Sequence, residues 1–384
     1  MKEVVVDRIT LQGMTWDHPR GFESIVACND LVEKNFGVSI DWRARSLLQF
    51  GDQHVREFAP TSDLMVIDHP HVADAVNDGS VVAFDDFIDS DTLATLQKES
   101  VGPSHNSYLY RGKLWGLAID GACQVSVYRP DLVDGVPPFW EDVLADAARG
   151  KVLWPCKPVD AFSTFATVLA QRGAPLNMGD TIFNQAVAEE VLEMLIELGS
   201  LVPEWCRTSN PFEISEALID SDDYHYATPL YGYTNYSRVG FRTKVLHYDD
   251  VASFDGRATG SQLGGAGIAV SSATEHPELA CKIAVYLASA EAQRGPYTER
   301  GGQPGNLRAW LSPQTNDITG NFFRNTLRSM EGSWVRPRVI GWPNFQFDTS
   351  QVIRRILTNK KVTSADWAEL REIEQRLIAA GGST

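Results

Sequence analysis

The sequence predicts an α/β protein with two lobes, the first of them doubly wound, and three observations carry that expectation. At 384 residues the chain is longer than one hydrophobic core usually serves. From residue 4 to beyond Pro70, strand-like and helix-like patterns alternate in βαβαβα order. No Gly/Ser or Pro linker cuts the chain in two, so two lobes must exchange the chain through ordered segments.

The elements follow in order. Residues 4–11 are apolar and β-branched enough for a strand. Phe22, Ile25, Val26, Val32 and Phe36 then recur at helical spacing. Residues 39–43 return to extended structure. Residues 64–67 form a short apolar run suited to a buried parallel strand, with a helical stretch beginning near Pro70. Residues 113–117 and 124–128 read as strands, with Gly112 and Gly116 giving turns. Residues 161–171 predict one helix, and the stripe Val187, Val191, Leu195 and Leu198 marks another. The tyrosine-rich residues 224–237 look extended, with a short strand near 244–248. In the tail, residues 365–379 place Trp367, Leu370, Ile373 and Leu377 on one helical face.

Composition narrows the classes. Hydrophobic residues at 43% and charged residues at 22% describe an ordinary globular protein. A formal charge of −16 argues against a nucleic-acid binder and against adhesion to an anionic membrane. No apolar run approaches the ~20 residues that span a bilayer. The start, MKEVVVDRITLQG, has no leader pattern. A periplasmic or extracellular location is expected if a leader has been removed, and a cytoplasmic one if the sequence is native. The five cysteines (Cys28, Cys123, Cys156, Cys206, Cys281) are far apart, show no zinc spacing, and read as buried free thiols.

The most specific segment is GGAGIAVSSATEHPELACKIAVYLASAEAQRGPYTERGGQPG. Gly264–Gly265 opens a strand, Ser271–Ser272 a turn, and His276–Pro277–Glu278 a helix. Leu287 and Ser289 close that helix, Glu291 and Gln293 mark a short second one, and Gly302 and Pro304 a loop. Pro277 suits a first helical turn, where its missing N–H would be unpaired, and Glu278 favours the positive end of the helix dipole. Leu279, Ile283 and Leu287 would form its buried stripe. The glycines let the strand approach a ligand or the opposite lobe. In this order the pieces resemble the extracellular solute-binding protein family 1, the maltose-binding-protein-like receptors of ABC importers for carbohydrates. The resemblance implies two doubly wound α/β lobes joined by a hinge, in the periplasmic binding protein-like, type II arrangement. Residues 1–120 and 264–312 would form the first lobe, and residues 121–263 and 313–384 the second. The cleft would clamp a carbohydrate or sugar-like small molecule, a sugar, sugar acid or polyol. ABC permease subunits are the implied partners, and the receptor would be a monomer without cofactor.

Candidate ligand groups come from strand ends and aromatic stretches. The loop 14–20 offers Trp16 for stacking and Asp17, His18 and Arg20 for polar contact, although Trp16 also suits a core. Asp68 and His69 follow the next buried strand and match sugar hydroxyls better than a metal. Asp120 lies in the presumed hinge strand, or stabilises a turn before Gly121. If residues 231–236 are extended, Tyr231, Tyr233 and Asn235 share one face. Trp334 and Trp342 resemble the family's late aromatic wall. Arg336 and Arg338 alternate on one extended face, fit for an acidic group or for surface ion pairs. Gly265 and Gln303 complete the set. With Arg20, these arginines suggest an acidic ligand. No catalytic or metal set is expected. A cytoplasmic enzyme using His18, Asp17, Asp68 and His69, or a ligand sensor, is the alternative on the same fold.

Overall fold

The computed structural model describes residues 9–381. They divide into two compact units, each assembled from separated stretches. The first holds the chain up to Ser100, with Tyr108–Gly121 and Gly265–Ala309. The second holds Val101–Ser107, Ala122–Gly264 and the chain from Trp310. The chain thus changes unit inside two strands, between Gly121 and Ala122 and between Gly264 and Gly265.

In the first unit, β1 (Thr10–Trp16) lies parallel to both β2 (Ser39–Arg45) and β3 (Leu64–Ile67). On the other side of β3 comes β10 (Leu263–Val270), antiparallel, giving the order β2-β1-β3-β10. All four residues of β3 are buried, as its unbroken apolar run predicts. Of the strand expected over residues 4–11, residues 4–8 lie outside the described residues. β1 instead runs on through 14–16, which sequence reading gave to a loop, because each of its seven residues pairs in register with β2.

Helices α1 (Phe22–Val26) and α2 (Asn29–Phe36) cross from β1 to β2, and α2 stops on left-handed Gly37 (φ 69°). After β2 comes α3 (Leu47–Asp52), closed by a Ser46/Gln49 capping box, and after β3 comes α4 (Val72–Asn77). Further on, α5 (Ser90–Glu99) is capped by Asp89. The strand expected at 113–117 is split. Residues Arg111 (φ 48°) and Gly112 (φ 75°) make a tight turn between β4 (Leu109–Tyr110) and β5 (Lys113–Leu114). A single strand of twelve buried residues, β6 (Leu117–Tyr128), then replaces the shorter one expected at 124–128. Helix α10 (Pro277–Leu287) starts at the proline, and Ala280, Cys281 and Ala284 join Ile283 and Leu287 on its buried face, while Leu279, expected in that stripe, is only partly buried.

In the second unit, β6 pairs antiparallel with β8 (Tyr226–Tyr231) and β9 (His247–Asp249), and β7 (Val152–Leu153) runs parallel to β8. β9 starts later than the 244–248 expected. Around these strands pack α6 (Trp140–Ala148), α7 (Pro158–Gln171), α8 (Gln185–Leu201) and α9 (Pro211–Asp220). The short helices α11 (Ala290–Ala292), α12 (Leu307–Trp310), α13 (Pro313–Asp317), α14 (Phe322–Asn325) and α15 (Leu327–Glu331) lead to the long α16 (Trp342–Asn359) and α17 (Ser364–Gly381). The unit's core is aromatic: the Phe345 ring lies 4.9 Å from Trp342 and 6.3 Å from Phe162. Trp367, Leu370, Ile373 and Leu377 of α17 are buried, as their spacing predicts.

Residues 231–236 are not one strand. β8 ends at Tyr231, and Thr234–Ser237 forms a 3-10 turn. Gly232 sits where a Cβ would meet Val125 and Phe322 at 2.8–2.9 Å, and the Ser237 hydroxyl bonds back to Thr234 O (2.8 Å). Local hydrogen bonding of this kind competes with a ladder, so Tyr231, Tyr233 and Asn235 do not share a strand face.

Candidate functional site

Parallel strands leave their carboxyl ends at one edge of a sheet, and the first unit gathers chemistry there. Trp16 closes β1 opposite Arg45 of β2. Its indole is buried, 4.9 Å from the Phe50 ring and so close to Gly21 that a Cβ there would meet it at 2.3 Å. It is part of the hydrophobic core. Asp17 is exposed, its N–H donating to Arg45 O (2.8 Å), and His18 Nδ1 accepts from the Arg20 N–H (3.1 Å).

Arg20 lies just before α1, and Asp120 lies inside β6 and is not a turn residue. Both are buried, and they meet each other: Arg20 Nε donates to Asp120 Oδ2 (2.7 Å) and Nη2 to Oδ1. Burial pushes the Asp120 carboxyl up against the pull of the Arg20 guanidinium. Asp68, at the end of β3, is half-buried with its Oδ1 3.3 Å from His69 Nδ1, and His69 packs edge-on to Tyr108 at 6.3 Å. Gln303 is buried. Its Nε2 donates to Gly121 O and its own carbonyl accepts from Gly121 N–H, both at 2.9 Å, pinning the middle of β6.

Two neighbours at this edge are not among the candidate ligand groups, Arg45 and His71. Arg45 ends β2 buried, its guanidinium carbon 3.9 Å from the Phe58 ring centre and 5.4 Å from that of Phe50. Nη2 donates to Val66 O (3.0 Å), and burial lowers its pKa to about 10. His71 is buried with Nε2 2.8 Å from Gly51 O. Burial lowers its pKa, with Asp68 pulling the other way. The signal available was a cation at a strand's carboxyl end, where a core position would be apolar.

In the second unit, the Tyr231 ring lies over Gly264, where a Cβ would meet it at 2.6 Å, and its hydroxyl accepts from Gln262 Nε2 (2.8 Å). In the first unit, Gly267 faces Tyr108 in the same way. The glycines of β10 therefore admit the chain's own aromatic rings, and Gly265 takes φ 97°. Tyr233 is half-buried with its ring 4.2 Å from Phe212, and Asn235 is buried. Trp334 is half-buried and held by backbone bonds to Ser261 and Leu263. Arg336 is buried, its Nη1 donating to Gln346 Oε1 (3.1 Å), so surface ion pairing does not describe it. Arg338 is half-buried with Nη1 3.3 Å from Arg336 O, and burial lowers its pKa. Arg238, which sequence reading passed over, is lowered to about 10 by the same cause. Trp342 is in the core.

Among the described residues, no group of three or more His, Cys, Asp or Glu could hold a metal ion, and no helix is long and apolar enough to cross a membrane. All five cysteines are buried and free.

A family model described as bacterial extracellular solute-binding protein matches residues 56–320. No curated protein matches the chain by sequence. Solved structures with the same fold include maltose-bound MalE3 of T. maritima, at 14% identity, TM-score 0.78, covering 96% of this chain and 99% of that one. The GacH receptor of Streptomyces glaucescens, solved unliganded and with acarbose, is similar at 13% identity and TM-score 0.78, covering 97% and 99%. An ABC transporter solute-binding protein from Agrobacterium radiobacter, in complex with ribitol, matches at 15% identity and TM-score 0.74, covering 97% and 98%.

Proposed function

The chain belongs to the bacterial extracellular solute-binding proteins, and from that premise we propose that it is the receptor component of an ABC importer, taking a carbohydrate or sugar-like small molecule. Two features support the reading, one in each unit: half-buried amphipathic rings in the second and polar strand ends in the first. Tyr231, Tyr233 and Trp334 are half-buried, and side chains of this kind suit a pyranose face. Asp17, His18 and Asp68 stand at the carboxyl ends of β1 and β3, with acceptors and imidazole nitrogens matched to hydroxyl edges. The maltose, acarbose and ribitol held by proteins of like fold support the same ligand class. Permease subunits are the proposed partners, and the periplasm or cell exterior the proposed location. Ligand recognition of this kind requires no catalytic group.

A thermal-shift screen over neutral sugars, polyols and sugar acids tests the proposal. A ligand at about a hundred times its Kd adds about 2.7 kcal/mol to stability and raises the melting temperature. Recovery of the bound compound unchanged after prolonged incubation is the second expected result. A set of carbohydrates and polyols that leaves the melting temperature unmoved, or a ligand recovered chemically altered, overturns it.

A further inference from the structure

We propose that Arg45 is an oxyanion-recognition residue and that the ligand carries a carboxylate, phosphate or sulfate group for it; the identification of that group's carrier as a sugar rests on the receptor reading above. Arg45 is 6% exposed, and neither Nε nor Nη1 has a hydrogen-bond partner among the described residues. Those two nitrogens carry three of the five N–H groups of a guanidinium, which is planar and stays charged. Only Nη2 is engaged, by the Val66 carbonyl. Backbone oxygens and aromatic faces compensate a hydrogen bond or part of a field, not a full charge.

The contrast with the neighbouring arginine is the core of the argument. Arg20 is as buried as Arg45, and Asp120 of the same unit meets it through two nitrogens. Arg45 has no carboxylate within ion-pair distance among the described residues. A buried guanidinium that keeps three donors open is arranged for a partner that arrives from outside, and a planar oxyanion fits its fork. His71 adds to this: its Nδ1 also lacks a partner among the described residues, and it lies within electrostatic reach of Arg45. The position is right as well, since Arg45 ends β2 at the edge where doubly wound sheets take ligands. Helix α3, which carries no buried residue, brings Phe50 over the guanidinium. The acidic-ligand expectation, drawn from Arg336 and Arg338 together with Arg20, is carried here by Arg45 instead.

Calorimetry on the full chain with D-galacturonate, D-glucuronate and glucose 6-phosphate, against D-galactose and D-glucose, tests this, with inorganic phosphate and sulfate as free-anion arms. The expected result is at least tenfold tighter binding of an acidic sugar than of its neutral parent, and loss of that preference in Arg45→Met. The Arg45→Met protein alone should melt no lower than wild type, because an uncompensated buried charge is gone. Arg45→Lys, which keeps the charge without the fork, should retain part of the preference and provides a second reading if Arg45→Met misfolds. Neutral sugars binding as tightly as acidic ones, or an acid preference that survives Arg45→Met, overturns the proposal and leaves the receptor reading standing. Binding of phosphate or sulfate through Arg45 with no sugar bound supports the oxyanion site and removes the carbohydrate reading.

Discussion

Asp160 shows how one buried group can shape the pH response of a whole domain. It sits in the first turn of α7, fully buried, and burial raises its pKa to about 8 against the weaker pull of Lys157. The folded state therefore holds a proton that the unfolded chain releases near the ordinary carboxylate value of about 3.9. Stability falls as pH climbs from that value towards 8 and is level above it, with a slope approaching about 1.4 kcal/mol per pH unit for one proton. Asp160→Asn should remove the slope: urea midpoints at pH 5 and pH 7.5 should differ less in the variant than in the wild type. Equal pH responses would mean that Asp160 is ionised in the folded state. The residue scale is also where sequence reading was weakest. Burial along β2 alternates up to Arg43 and then breaks, leaving Ala44 exposed and Arg45 inside. A pattern read at period two puts Arg45 on the solvent side, so its role was hidden. Arg20 and Asp120 were both singled out, yet their mutual pairing spans a hundred positions and is invisible to any local pattern.

At the scale of elements, β10 depends on having no side chain at Gly267. A Cβ there would meet the Tyr108 ring at 2.4 Å, and Gly116 approaches the same ring with its own Cβ position at 2.7 Å. The Tyr108 hydroxyl is tied to Ile67 O (3.1 Å), which keeps the ring from swinging clear. Gly267→Ala should cost about 1–3 kcal/mol, the usual range for overpacking, measured as a lowered urea midpoint with an unchanged slope. A variant of wild-type stability would show that the ring moves freely. Elements were largely legible in the sequence because their signals are local. The apolar run of β3, the stripe of α8, the proline start of α10 and the face of α17 each follow from spacing alone. The failures came where a glycine or a hydroxyl decided the backbone. Gly112 gave the turn expected of it, but the strand presumed at 113–117 broke before Gly116, which lies against the Tyr108 ring, and Ser237 helped curl the tyrosine-rich stretch after Tyr231.

At the scale of the molecule, neither unit is a contiguous segment. The second needs the chain beyond Trp310 to finish its core, since Trp342, Phe345, Val352 and Ile356 of α16 are buried and Phe345 meets Phe162 of α7. Truncation after Ala309 leaves the first unit's segments complete and strips α16 and α17 from the second. Hydrogen exchange on that fragment should show protection kept in β1, β2 and β3 and lost in α7 and α8. Retained protection in α7 would show that the aromatic cluster is dispensable. The discontinuous division could be expected from the chain's length and lack of a linker. The excursion Val101–Ser107 into the second unit could not, because no local property of those residues marks it.

The pairing of β3 with β10 also sets a timetable for synthesis. Ile67 is opposite Gly267, roughly 200 residues later, and at 5–20 residues per second that interval lasts roughly ten to forty seconds. Throughout it, the edge of β3 that β10 will cover carries Leu-Met-Val-Ile with open backbone groups, a template for pairing with other chains. Until residue 270 has been made, that edge is therefore the place on the nascent chain most open to pairing with other chains.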